Sequence, residues 1–290
     1  MTVTILPGLS AVAGRYDGFI LDLWGVLHDG ERPLPGVLDG LERLRRRGKR
    51  VVILSNAPRR VDAAVARLQE IGIPRRLYDG LMTSGEEAYQ HLLRRDDPWY
   101  SALGRACLHL GPARDKGMLD GLELTQVATA AEADFVLNTG TNMDGDSVDQ
   151  YRPLLRAAHG AGLPMVCANP DLEVLRRGRR EICAGTLAQC YEALGGEVRW
   201  HGKPFPSVYQ TCFRLLGIEA RERILAVGDS LRTDVAGAAN VGIDALLVTG
   251  GIHAAELGME VGGTLSPRAL TAACERAGQQ PMAAVPGFAW

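Results

Sequence analysis

Four short polar stretches, each following an apolar run or a loop, could share one reaction: Asp22, Ser55-Asn56, Lys203, and Asp229 with Asp234. A carboxylate at the mouth of a buried strand is costly unless a metal or a cation pairs with it. Asp22 follows Phe19-Ile20-Leu21 and is therefore a candidate nucleophile or metal ligand. Asp22 and Asp229 offer the hard oxygen atoms that hold a divalent ion. Lys203 and such an ion would neutralise a phosphate while the Ser55 hydroxyl donates a hydrogen bond to it. Asp22 could then attack phosphorus, giving an aspartyl phosphate that water hydrolyses. Taken singly, each residue has a plainer role. Asp22 or Asp234 would serve as a turn former or cap, Ser55-Asn56 as the cap of the next helix, and Lys203 as a surface cation. Their common position at strand ends, in order along the chain, favours the joint role.

The elements that must position them read as α/β. Val37, Leu38, Leu41 and Leu44 make the apolar face of a helix over 36–47, closed by Gly48. Val51–Leu54 is a buried strand, and Val61, Val65, Leu68 and Ile71 line a second helix. Strand, helix, strand, helix at these lengths implies βαβ units and a parallel sheet. Further strands are expected at 81–85, 106–110, 122–127, 135–138, 164–168, 224–227 and 245–248, with helices at 86–95, 150–159, 186–194, 207–216 and 233–241. Asp96-Asp97-Pro98 has the composition of a linker. The predicted architecture is a doubly wound, Rossmann-like parallel-sheet core formed by 1–95 and 185–290, with an α/β cap domain inserted at 96–184. In such a core the strand ends converge on one crevice. The tail, Pro286-Gly287-Phe288-Ala289-Trp290, is apolar enough to pack back on the body.

Bulk properties bound the function classes. The chain has 290 residues, 46% hydrophobic and 23% charged, with a net charge of −2, which gives no electrostatic reason to bind nucleic acid. No apolar run approaches the ~18 residues of a membrane span, and the start lacks the layout of a secretory signal. Six scattered cysteines without Cys-x-x-Cys spacing fit thiols in a reducing compartment. The expectation is a cytoplasmic protein with neither nucleic acid nor membrane as partner.

Asp22-Leu-Trp-Gly-Val, Leu54-Ser55-Asn56, Gly202-Lys203-Pro204 and Gly228-Asp229-Ser-Leu-Arg-Thr-Asp234 resemble the four motifs of the haloacid dehalogenase superfamily. Thr83-Ser84-Gly85, Asn169-Pro170-Asp171 and the insertion between the second and third motifs resemble its NagD-like (class IIA) branch. The resemblance implies a Mg²⁺-dependent phosphomonoesterase with Asp22 as nucleophile and Ser55 and Lys203 on the phosphoryl oxygens. It further implies Asp229 on the metal and Asp234 supporting the metal directly or through water. A small phosphorylated metabolite, a sugar phosphate or nucleotide, is the implied substrate; Asn56, Asn169 and Asp171 are implied substrate contacts, although an Asn-Pro-Asp turn accounts for the last two nearly as well. The branch leaves a homodimer open.

One position departs from the family pattern. Its phosphatases carry a second Asp two residues after the nucleophile, whose side chain transfers protons and whose backbone carbonyl ligates the metal. Here that residue is Trp24. A carbonyl survives for the metal, but indole neither gives nor takes a proton usefully. Losing such a group costs about 10²–10⁴ in rate. His28 or Asp29 could substitute, although turn formation before Pro33 is the simpler role. An inserted unit over a sheet-edge crevice would exclude water and read the substrate. Arg176, Arg177, Arg179 and Arg180 read as a solvated basic surface, and Asp144 with Asp146 as a turn. The competing function, fed by Trp24, is a catalytically weak or inactive phosphate- and metal-binding protein that senses or regulates.

Overall fold

The computed structural model describes residues 3–176, 178–259 and 265–290. In chain order its strands and helices are β1 (Gly18–Leu21), α1 (Val37–Arg46), β2 (Arg50–Ser55), α2 (Val61–Glu70), β3 (Gly80–Thr83), α3 (Ser84–Arg94) and α4 (Pro98–Ser101). Next come β4 (Ala106–Leu110), β5 (Thr125–Val127), β6 (Phe135–Asn138), α5 (Val148–Gly160), β7 (Met165–Cys167), β8 (Glu173–Arg176) and β9 (Arg179–Ile182). The chain continues with α6 (Ala184–Ala193), β10 (Val198–Trp200), α7 (Pro206–Leu216), β11 (Ile224–Gly228), α8 (Ala236–Asn240), β12 (Asp244–Val248), α9 (Pro267–Ala277) and β13 (Ala283–Val285). They form two compact units, one of 1–55, 65–82 and 203–290 and the other of 56–64 and 83–202.

The first unit is built on a six-stranded sheet in the order β13-β12-β11-β1-β2-β3. β1 lies parallel to β11 on one side and β2 on the other, with Leu21 opposite both Val227 and Ile53. Its four residues are all buried, as a strand covered on both faces requires. Chain order reverses about β1, which makes its carboxyl end the switch point where such sheets hold ligands. Valine, isoleucine and leucine from β2, β11 and β12 pack with Val208, Cys212 and Leu216 of α7 into one core. The helix expected over 233–241 begins instead as a π-helical turn, Leu231–Val235, and becomes α only at α8. Such widened turns recur at functional sites, and this one carries Asp234.

In the second unit a five-stranded parallel sheet runs β10-β7-β6-β4-β5, beside an antiparallel hairpin, β8–β9. This unit takes in α3 and the stretch 185–202, beyond the 96–184 span suggested by linker composition. The reason is packing: Ala88, Tyr89 and Leu92 of α3 share a core with Phe135 and Leu137 of β6, and Ala184, Leu187 and Tyr191 of α6 share one with Leu155 and Met165. The basic cluster is largely matched by acids, since Arg176 pairs with Asp144 and Glu181, and Arg180 with Glu173; Arg177 lies outside the described residues. Asp146 accepts hydrogen bonds from Met143 N–H and the Tyr151 hydroxyl, closing a turn.

The tail packs on the first unit. Phe288 is 2% exposed, and a Cβ on Gly40 would stand 3.0 Å from its ring, so the glycine lets α1 and Phe288 pack closely. Phe288→Ala is expected to cost about 3–5 kcal/mol of stability, read as a lower midpoint in denaturant unfolding.

Candidate active site

Asp22, Asp229 and Asp234 meet at the carboxyl end of the first unit's sheet, each offering an oxygen within 4.8 Å of the others. Backbone pairing brings them there. Asp22 N–H continues the β1–β11 ladder to the Val227 carbonyl at 2.9 Å, which leaves Asp229 two residues beyond on the neighbouring strand. Asp234 lies on the π-helical turn after β11 and accepts the Ser230 N–H at 3.1 Å. The Lys203 ammonium donates to Asp22 and, at 2.8 Å, to Asp234. All four are nearly excluded from solvent, Asp22 most open at 9% and Lys203 at 3%.

Three glycines make the space. A Cβ on Gly25, where φ is +77°, would stand 2.3 Å from the Asp229 carboxylate, and one on Gly251 2.0 Å from it. A Cβ on Gly228 would lie 2.0 Å from the carboxyl carbon of Asp234. Gly251 also opens the way to Ile252, whose N–H donates to Asp229 at 2.7 Å. Sequence reasoning passed over this loop. Its signal is Thr249-Gly250-Gly251, a glycine pair directly after the buried strand β12.

Three carboxylates face one ammonium. Burial, and then repulsion from Asp22 and Asp234, push the Asp229 carboxyl well above the usual carboxylate range. A dry, all-oxygen cluster with surplus negative charge fits a hard divalent cation. Asp22, Asp229 and Asp234 are the residues that could hold it.

Ser55 ends β2 beside β1 and is buried, in the same unit as the carboxylates and Lys203. The proposed substrate contacts fall in the second unit. There Asn56 donates its amide to Asp171 at 2.8 Å, and Asn169 accepts the Asp171 N–H at 2.9 Å. The Asn169–Asp171 turn is thus a side-chain-locked turn tied to Asn56.

The half-buried Trp24 indole lies on its own loop. Its ring meets His28 edge-on, centroids 5.5 Å apart, and a Cβ on Gly30 would come within 2.4 Å of it. His28 Nδ1 accepts the Gly30 N–H at 2.9 Å, and Asp29 accepts both Glu31 and Arg32 N–H at 2.9 Å. Those backbone bonds hold the Asp29 carboxyl below its usual range. Asp29 is therefore a turn former and a poor proton donor.

The charge imbalance has a stability signature. A carboxyl raised in the folded state stabilises the metal-free fold below the ordinary carboxylate range and loses that contribution as pH rises through the raised value. Asp229→Asn should flatten this pH dependence. At neutral pH it should raise the melting temperature of the metal-free protein, by roughly 2–4 °C for each kcal/mol of repulsion relieved. The same substitution should remove the further rise that a divalent cation gives the unsubstituted protein, which differential scanning fluorimetry measures.

Comparison with known proteins gives the family. A haloacid dehalogenase-like hydrolase family model matches residues 19–125, and a second model of HAD-like hydrolases matches 200–277. A haloacid dehalogenase-like hydrolase of Brucella suis 1330 has the same fold over 98% of this chain and 99% of its own, with a TM-score of 0.82 and 32% identity. The D-glycerol 3-phosphate phosphatase of Mycobacterium tuberculosis is 27% identical across 85% of this chain and 67% of its own length. The ribonucleotide monophosphatase NagD of Escherichia coli K12 is 25% identical across 80% and 87%. With motif, sheet order and carboxylate cluster in agreement, the chain belongs to the haloacid dehalogenase-like hydrolases, in their NagD-like (class IIA) branch.

Proposed function

We propose that this hydrolase is a Mg²⁺-dependent phosphatase of a small phosphomonoester, working through an aspartyl phosphate on Asp22. The observation that carries this reading is the buried Lys203 ammonium shared between Asp22 and Asp234 within a three-carboxylate cluster. Lys203 orients the Asp22 carboxylate and screens its charge, so that a phosphate dianion can approach. Asp22 attacks phosphorus, the bond to the leaving oxygen breaks, and water then hydrolyses the acyl phosphate. Ser55 donates a hydrogen bond to a phosphoryl oxygen. Asp22, Asp229, Asp234 and the Trp24 carbonyl would hold the cation. When bound, it offsets the surplus negative charge and polarises the phosphoryl group.

Relatives named for glycerol 3-phosphate and ribonucleotide monophosphates support a small phosphorylated metabolite as substrate, the class already implied by sugar-phosphate and nucleotide resemblance. A cytoplasmic location is in keeping with such a substrate. Among the described residues no helix is long and apolar enough to cross a membrane.

Trp24 supplies no proton to the departing oxygen, and Asp29 is committed to its turn. The enzyme should therefore favour leaving groups that need little protonation, such as phenols. Trp24 also supports a second reading, in which metal and phosphate bind with little turnover and the protein acts as a sensor.

Three outcomes check the proposal. Phosphate release from an aryl phosphate should require a divalent cation and fall to background on chelation. Asp22→Asn should lose that release by at least about 10⁴-fold, whereas tight binding without turnover in the unsubstituted protein would favour the sensor. Trp24→Asp should raise the rate on an alkyl phosphate by about 10²-fold or more and on an aryl phosphate far less. Equal leaving-group sensitivity in the two proteins would contradict the role given to Trp24.

A further inference from the structure

The second unit brings together another set of ligand-bearing side chains. Glu87 and His91 stand one turn apart on α3, on the same helix face, and His201 follows β10. Each offers an atom within 4.8 Å of the other two. Glu87 and His201 are buried, at 5% and 4% exposure.

The hydrogen bonding around His201 is incomplete. Its Nε2 pairs with the Tyr100 hydroxyl. Its Nδ1 is buried and makes no hydrogen bond, although a Glu87 carboxylate oxygen lies 3.5 Å away. The unpartnered Nδ1 and the Glu87 carboxylate oxygen thus face one another without a hydrogen bond between them. A positive centre held by both would satisfy the two groups together. His91 packs on the same point, its ring 5.2 Å from His201 and 5.0 Å from Tyr100.

We propose that Glu87, His91 and His201 bind one divalent transition-metal ion of the zinc class. Two imidazole nitrogens and one carboxylate oxygen are a borderline-soft set that suits zinc and its neighbours better than magnesium. The 3.5 Å separation of Glu87 and His201 is close to the spacing of two ligands each about 2.1 Å from a tetrahedral centre, which is about 3.4 Å. Outer partners that orient metal ligands are present: Tyr100 on the far nitrogen of His201, and the Gly202 N–H on Glu87 at 2.8 Å. The ion would fasten α3 to the segment after β10, immediately before Lys203 in sequence.

Metal counting on the full chain tests this. Protein stripped with a chelator is dialysed against zinc with magnesium in large excess, so that the all-oxygen cluster is filled by the harder ion. One retained zinc is expected. His91→Gln should weaken its binding at least tenfold, and Asp229→Asn should leave it in place. Substituting cobalt into the unaltered protein should give the intense visible bands of a four- or five-coordinate nitrogen–oxygen site, without the sulfur charge-transfer bands of cysteine ligation. No retained zinc, equal zinc affinity in His91→Gln, or a weak octahedral or sulfur-bearing cobalt spectrum would overturn the proposal. The cobalt result decides the matter even if His91→Gln fails to fold.

Discussion

The buried Lys203 ammonium is the contact on which the first unit's site depends. Desolvating an ammonium and three carboxylates would cost many kcal/mol if they were dispersed. Here the ammonium bridges Asp22 and Asp234, so part of that cost returns as charge-assisted hydrogen bonds. Asp229 accepts the Ile252 N–H and has Asp22 and Asp234 as like-charged neighbours, with Lys203 as a weaker offsetting charge. A site in this state carries surplus negative charge that a divalent cation would offset.

The fold exists around that arrangement in a concrete sense. β1 is the central strand, flanked by β2 and β11, so the ends of three buried strands fix Asp22, Ser55 and Asp229 without long loops. Glycines at 25, 228 and 251 remove the side chains that would otherwise fill the carboxylate pocket. The π-helical turn at Leu231–Val235 places Asp234 where a regular first turn was expected. Rigid strands supply position, and small residues supply room.

Much of this could be read in the sequence, for physical reasons. Charged residues at the ends of runs such as Phe19-Ile20-Leu21 and Leu225-Ala226-Val227-Gly228 stand out, because burial makes them expensive. The parallel sheet was legible from the spacing of its apolar strands. Other features were not. The β8–β9 hairpin is rich in arginine and half exposed, so it lacks an apolar signature. β13 has only three residues, too few for a periodicity. Glu87 and Gly202 are 115 positions apart, and no local pattern announces that they meet. The Thr249-Gly250-Gly251 loop carries no charged side chain to mark it, because its contribution is made by a backbone N–H and by an absent side chain.

The central claim is that Asp22 becomes phosphorylated during turnover. Borohydride reduces an acyl phosphate to an alcohol, so quenching the working enzyme with borohydride and sequencing its peptides by mass spectrometry reports the site directly. With an aryl phosphate and a divalent cation present, the account predicts that Asp22 is converted to homoserine, and that omitting either component prevents it. Turnover with Asp22 unmodified, or with the label on another carboxylate, would contradict the account.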